Sequence, residues 1–159
     1  MKAAVLTVSD GVDMGTREDK SGDLLEELLS AEGYEVLRRV VPDERDAIAE
    51  AIEELAGEAR LVLTTGGTGL GPRDVTPEAT ASVLERIAPG IAEAIRADSI
   101  AKTPHALLSR GMAGVRGTTL VVNLPGSTGG CRDGFRILQP ALGHALELLA
   151  GEETAHRQT

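Results

Sequence analysis

The chain has 159 residues, 42% of them apolar and 26% charged, a balance that suits one soluble globular domain with a sizeable core. A net charge of −9, with a single Tyr and a single Phe, argues against nucleic-acid binding, which relies on clustered Lys and Arg and, for single strands, on aromatic stacking. The lone Cys131 excludes an internal disulfide or a cysteine-based metal cluster within one chain, and no apolar run reaches membrane-spanning length.

The N-terminal MKAAVLTVSD holds an apolar β-prone run from Ala3 to Val8, too short for a secretory signal. It predicts a first strand and a cytoplasmic protein. Ser21 is the candidate cap of a helix through LLEELLSAE, where Leu24, Leu25, Leu28 and Leu29 recur at helical spacing and Gly33 suits the stop. These leucines read as core. Glu35 to Val41 reads as a second strand. Asp43 or Asp46 is a candidate cap for the next helix, whose stripe is Ile48, Ala51, Ile52 and Leu55. Arg60 to Thr64 is the third strand. Thr76-Pro77-Glu78 combines a capping hydroxyl, a proline at the first helical position and an acid in the first turn, and predicts a helix to about Ala88. Pro89 opens another helix, residues 104–110 form a short one, and Thr118 to Asn123 is a strongly apolar strand. One or two helices follow from about Cys131 to Ala150, with a kink or break at Pro140. The expected organisation is a single domain over 1–151 and a flexible tail over 152–159.

Strands alternating with helices predict an α/β fold with a mostly parallel central sheet covered on both faces. In such sheets ligands gather beyond the carboxyl ends of the strands. That rule selects SDG at 9–11, VPDE at 41–44, TTGGTG at 64–69 and NLPGST at 123–128.

The loop TTGGTGLGPRD is the richest of these. It is not a Walker A loop, because no Gly-Lys-Ser or Gly-Lys-Thr is present, nor a dinucleotide fingerprint, because Pro72 stands where a third glycine is needed. Glycines nevertheless expose backbone N–H groups to an anion, and Thr65 and Thr68 add hydroxyl donors. The alternative is a tight turn that binds nothing. Asp74 reads either as a loop or capping carboxylate or as a magnesium ligand, and Asp43 likewise. Asp10 is a turn residue or a ligand-facing one. Arg73 and Lys20 either neutralise phosphate or are simply solvated. His105, His144 and His156 show no metal-site or triad spacing, and Cys131 reads as a partly buried thiol.

TTGGTGLGPRDVTPEAT resembles the signature of the MogA/MoaB family of molybdopterin adenylyltransferases. The likeness extends through VSDG, DKSGDLL, VPDE, TPHALLSRGMAG at 103–114 and NLPGSTGG at 123–130, nearly the whole chain in order. It implies a three-layer α/β sandwich and a homotrimer. The implied reaction transfers AMP from magnesium-bound ATP to the terminal phosphate of molybdopterin, and a molybdopterin molybdotransferase is the downstream partner. By motif, Gly66, Gly67, Thr68 and Gly69 lie against the phosphates. Asp74 is the essential acid and Asp43 a second one, both acting through Mg2+. Ser109, Arg110, Pro125, Gly126 and Ser127 resemble substrate-pocket positions, with Ser9 and Asp10 completing the rim. LPGSTGGCRDGF resembles the MoaB-type loop, so a non-catalytic molybdopterin carrier is the alternative, and a CinA-like nucleotide hydrolase a third reading.

Overall fold

The computed structural model describes residues 1–151; the expected tail lies outside them. In chain order the elements are β1 (Lys2–Val8), α1 (Asp10–Asp13), α2 (Lys20–Ala31), β2 (Glu35–Val41), α3 (Arg45–Ala56), β3 (Leu61–Thr65), α4 (Thr76–Val83), β4 (Arg86–Ile87), α5 (Pro89–Ile100), a 3₁₀ helix (Pro104–Leu108), β5 (Ala113–Arg116), β6 (Thr119–Leu124) and α6 (Thr128–Leu149). The strands form one sheet in the order β2-β1-β3-β6-β5-β4. The first four are mutually parallel, whereas β5 runs antiparallel to both β6 and β4.

Side-chain alternation divides the core between the two faces, as a pleated strand requires. Ala3, Val5, Leu61, Leu63, Leu120, Val122 and Leu124 pack with Leu25 and Leu29 of α2, Ile95 of α5 and Phe135, Leu138, Leu142 and Leu146 of α6. Ala4, Leu6, Val8, Val62 and Val121 pack with Ile48, Ile52 and Leu55 of α3 and Ala79 and Val83 of α4. This is the three-layer arrangement expected. The parallel strands are buried on both sides, which explains their near-continuous apolar runs.

Register aligns the carboxyl ends. Val8 pairs with Val41, Thr7 with Thr65, and Thr65 with Leu124. The segments after β1, β2, β3 and β6 therefore emerge at one edge, as the switch-point rule anticipates.

Several local expectations are corrected. The α2 cap is Asp19, whose side chain accepts from the Gly22 N–H, and not Ser21. Neither Asp43 nor Asp46 caps α3, which starts after Glu44 without a side-chain cap. Helix α4 ends at Val83 because Leu84 turns extended, leading into β4. Strands β4 and β5 escaped notice because one is only two residues long and the other begins Ala113-Gly114. Gly114 has a steric reason: a Cβ there would lie 2.4 Å from the Arg86 carbonyl oxygen. Pro140 breaks nothing. It is exposed on a continuous 22-residue helix whose buried leucines flank it on the core face.

Candidate active site

The glycine loop is shaped by its neighbours as much as by any ligand. Gly66 and Gly67 have φ of +101° and +69°, in the left-handed region that favours glycine. A Cβ on Gly66 would lie 2.3 Å from the Val8 carbonyl oxygen, and one on Gly67 2.3 Å from Thr76 Oγ1. The Thr76 hydroxyl donates to the Gly66 carbonyl at 2.9 Å, and the Thr76 N–H donates to the Gly67 carbonyl at 3.1 Å. Thr76 thus anchors the loop from the start of α4, inside the helix rather than as its cap.

A second strap joins this loop to the one after β6. The Gly66 N–H donates to the Leu124 carbonyl at 3.2 Å, and the Thr65 hydroxyl donates to the Pro125 carbonyl at 2.7 Å. Thr65 Oγ1 also lies 3.0 Å from Ser21 Oγ and 3.3 Å from Cys131 Sγ. The Thr65 hydroxyl proton is therefore spent inside the protein, contrary to the expectation that it serves an anion. Burial pushes the Cys131 thiol up to about 11. Ser127 caps α6, accepting from Gly130 N–H at 3.1 Å.

The acids form a linked set. The Asp10 N–H donates to Asp43 Oδ2 and the Asp43 N–H to Asp10 Oδ1, both at 2.9 Å. Arg73 grips Asp10 with two bonds, Nε to Oδ2 at 2.6 Å and Nη2 to Oδ1 at 3.0 Å. The Arg73 bonds, then the Asp43 amide, hold the Asp10 carboxyl below the usual carboxylate range. Asp43 is shifted the other way, raised first by burial and further by the charges of Asp10 and Asp74. Asp74 Oδ2 accepts from Gly71 N–H at 2.9 Å. One oxygen of each of Asp43 and Asp74 remains outside these bonds.

Two cavities flank the loop. The first, about 670 Å³, is lined by Ser9, Asp43, Asp74, Thr65, Gly66, Gly67, Gly126 and Ser127, with Arg17, Asp19 and Lys20 from the entry to α2. The second, about 450 Å³, is lined by Thr68, Gly69, Arg96, Ser109, Pro125 and Ser127, with Ile95, Ala106 and Leu108 giving it an apolar side. Twelve of the fourteen residues expected at the site thus line one chamber or the other, and Ser127 lines both. Asp10 and Arg110 line neither; the Asp10 carboxylate instead accepts from the Asp43 N–H, and the Arg110 guanidinium donates to the Gly69 carbonyl, each holding backbone that does.

Sequence reasoning missed Asp19 and Arg38. Asp19 Oδ1 accepts from Gly22 N–H at 3.1 Å, while Oδ2 accepts from the Thr7 hydroxyl at 2.8 Å and Arg38 Nη2 at 2.6 Å. This carboxylate ties the start of α2 to β1 and β2 at the cavity wall. The available signal was an arginine in the second strand, facing DKSGDLL across the fold. Among the described residues no group of three or more His, Cys, Asp or Glu is arranged to hold a metal, and no helix is long and apolar enough to cross a membrane.

Comparison with known proteins agrees with this layout. Residues 4–144 match the family described as a probable molybdopterin binding domain. The molybdopterin adenylyltransferase of Helicobacter pylori is 39% identical over 152 residues, 92% of this chain and 86% of that protein. The molybdenum cofactor synthesis protein cinnamon of Drosophila melanogaster is 40% identical over 98% of this chain, which spans only 26% of that longer protein. The crystal structure of the molybdopterin biosynthesis enzyme MoaB of Thermus thermophilus is 46% identical, with a TM-score of 0.88 over 94% of this chain and 96% of that one. This chain belongs to the MogA/MoaB family of molybdenum cofactor biosynthesis.

Proposed function

We propose that this protein is a molybdopterin adenylyltransferase. It transfers AMP from ATP to the terminal phosphate of molybdopterin and releases pyrophosphate. The observation that carries the reading is the placement of Asp43 and Asp74 on one chamber beside Gly66 and Gly67, with a second, more apolar chamber sharing the same glycine wall.

Two substrates need two berths. The chamber with carboxylates, glycine amides and Lys20 suits phosphates and their counter-cation. The chamber with Ile95, Leu108 and Pro125 suits a flat heterocycle. In the reaction, an oxygen of the pterin phosphate attacks the α-phosphorus of ATP. A new P–O–P link forms, the bond to the β-phosphate oxygen breaks, and pyrophosphate leaves. The nucleophile is already anionic at neutral pH, so no strong base is required, and the barrier is mainly the approach of like charges. Positioning and charge neutralisation are the contributions asked of the protein.

The donor set fits magnesium, which takes one or two carboxylates and draws its other ligands from water and substrate phosphates. Asp43 and Asp74 would hold it through the oxygen that each leaves outside internal hydrogen bonds. When bound it offsets negative charge on the reacting phosphates. The reading extends to a cytoplasmic homotrimer that passes its product to a molybdopterin molybdotransferase.

The test is pyrophosphate release from the purified protein with molybdopterin, ATP and magnesium, with Asp74→Asn measured alongside. The expected result is release that requires both the pterin and Asp74, with the variant folded and inactive. Pterin binding without pyrophosphate release overturns the reading in favour of a carrier; nucleotide turnover without pterin overturns it in favour of a hydrolase.

A further inference from the structure

Arg110 lies outside both chambers yet touches the wall between them at both ends. Its backbone N–H donates to the Thr68 carbonyl at 2.8 Å. Its Nε donates to the Gly69 carbonyl at 2.8 Å and its Nη2 to the Asp74 carbonyl at 2.7 Å. Its Nη1 is paired with the Glu78 carboxylate, in the first turn of α4. A single planar guanidinium therefore closes the turn from Gly69 to Asp74. Residues 70–73 inside that turn are exposed and belong to no helix or strand. Apart from Arg110, the turn is held by the mutual bonds of Gly71 and Asp74, by the two bonds of Arg73 to Asp10 on its outer side and by the anchor at Thr76, and none of these grips the Gly69 and Asp74 carbonyls that Arg110 spans.

Arg110 is itself held from the second chamber. Arg96 Nη1 donates to the Gly111 carbonyl at 2.6 Å and lies 3.4 Å from the Ser109 carbonyl, on either side of Arg110. Arg96 and Ser109 line the second chamber, and Asp74 lines the first. A continuous chain of bonds thus runs from one chamber wall to the acid of the other.

We infer that Arg110 is a positioning residue that fixes the Asp74 carboxylate and the glycine wall for the transfer step, backed by Arg96 from the second chamber. The role rests on the reading above that Asp74 serves nucleotidyl transfer. It needs the guanidinium fork. Lysine keeps the charge but offers one point ammonium, which cannot span two carbonyls and a carboxylate in fixed directions. A displaced Asp74 weakens the step that depends on its placement, while both substrates still find their chambers.

The test uses the full-length protein carrying Arg110→Lys and Arg110→Ala, with Glu78→Gln as a milder variant that keeps the arginine. Three quantities are read: pyrophosphate release, dissociation constants for ATP and molybdopterin, and amide hydrogen exchange across residues 66–74. Arg110→Lys is expected to lower kcat about 100-fold, the cost typical of a misplaced group. Both dissociation constants should stay within about threefold, the split that marks a residue acting in the step rather than in binding. Exchange across 66–74 should quicken, and millimolar guanidinium should restore activity and protection to Arg110→Ala. Unchanged kcat and exchange in Arg110→Lys overturn the inference, as does a loss that falls wholly on substrate affinity. Should the wild-type protein release no pyrophosphate, the functional reading falls by itself. The exchange experiment then still decides whether Arg110 fixes the loop.

Discussion

The carboxylates of Asp10 and Asp43 each accept a hydrogen bond from the other's backbone N–H, joining the ends of the first two strands across 33 residues of sequence. The clasp fixes Asp43 without consuming both of its oxygens. It also places a second negative charge beside a half-buried one, a cost that Arg73 offsets only in part, since the Asp43 carboxyl stays raised.

Asp43→Asn removes that charge and keeps an acceptor for the Asp10 amide. Because the Asp43 carboxyl is raised in the folded protein, the folded state binds its proton more tightly than the unfolded chain does. Its contribution to stability therefore declines as pH rises from the usual Asp range through the raised value. The variant should match wild type in acid and melt higher at neutral pH, while transfer falls by about 100-fold or more. Thermal unfolding at several pH values, paired with pyrophosphate release, checks both halves.

Gly66→Ala forces a Cβ against the Val8 carbonyl oxygen at a φ that alanine rarely adopts. A loss of about 2–4 kcal/mol is expected by denaturant unfolding. Gly143→Ala, in α6 with nothing near its added Cβ, should instead gain about 0.5–1 kcal/mol, which serves as the control.

Asn123 joins β6, β3 and α4 in the core. Its Nδ2 donates to the hydroxyls of Thr64 and Thr80, both at 3.0 Å, and its Oδ1 accepts from Met112 N–H at 3.2 Å. Asn123→Ala strands these groups and should cost about 3 kcal/mol in urea unfolding. A change within the error of that measurement would show that water replaces the amide.

Cys131 should resist alkylation at mildly alkaline pH in the native state and react fully once unfolded. Its thiol is fully buried and raised to about 11, and Thr65 and Pro125 occupy its polar contacts. Time courses with a thiol reagent, with and without denaturant, make the comparison.

The layered fold was legible because its signals are local. The runs at β1, β3 and β6 and the helical stripe of Ile48, Ala51, Ile52 and Leu55 declare their burial by spacing alone. The clustering of ligand loops followed from topology. Pair geometry was not legible. Nothing in VSDG or VPDE says that Asp10 and Asp43 bond to each other's amides, or that Arg73 turns to Asp10 rather than to a ligand. Asp19 outcompeted Ser21 as cap because its carboxylate also meets Thr7 and Arg38, residues far away in sequence. Strands β4 and β5 are defined by their partners, so propensity could not find them.

Helix α6 begins at the chamber rim with Ser127 and, at 1.5 Å per residue over 22 residues, runs about 33 Å back across the sheet. Strand β1 starts at the same far edge, because its carboxyl end reaches the chambers. Both ends of the described chain therefore leave from the pole opposite the chambers. A segment continuing from either described end would start on the side away from the entrance.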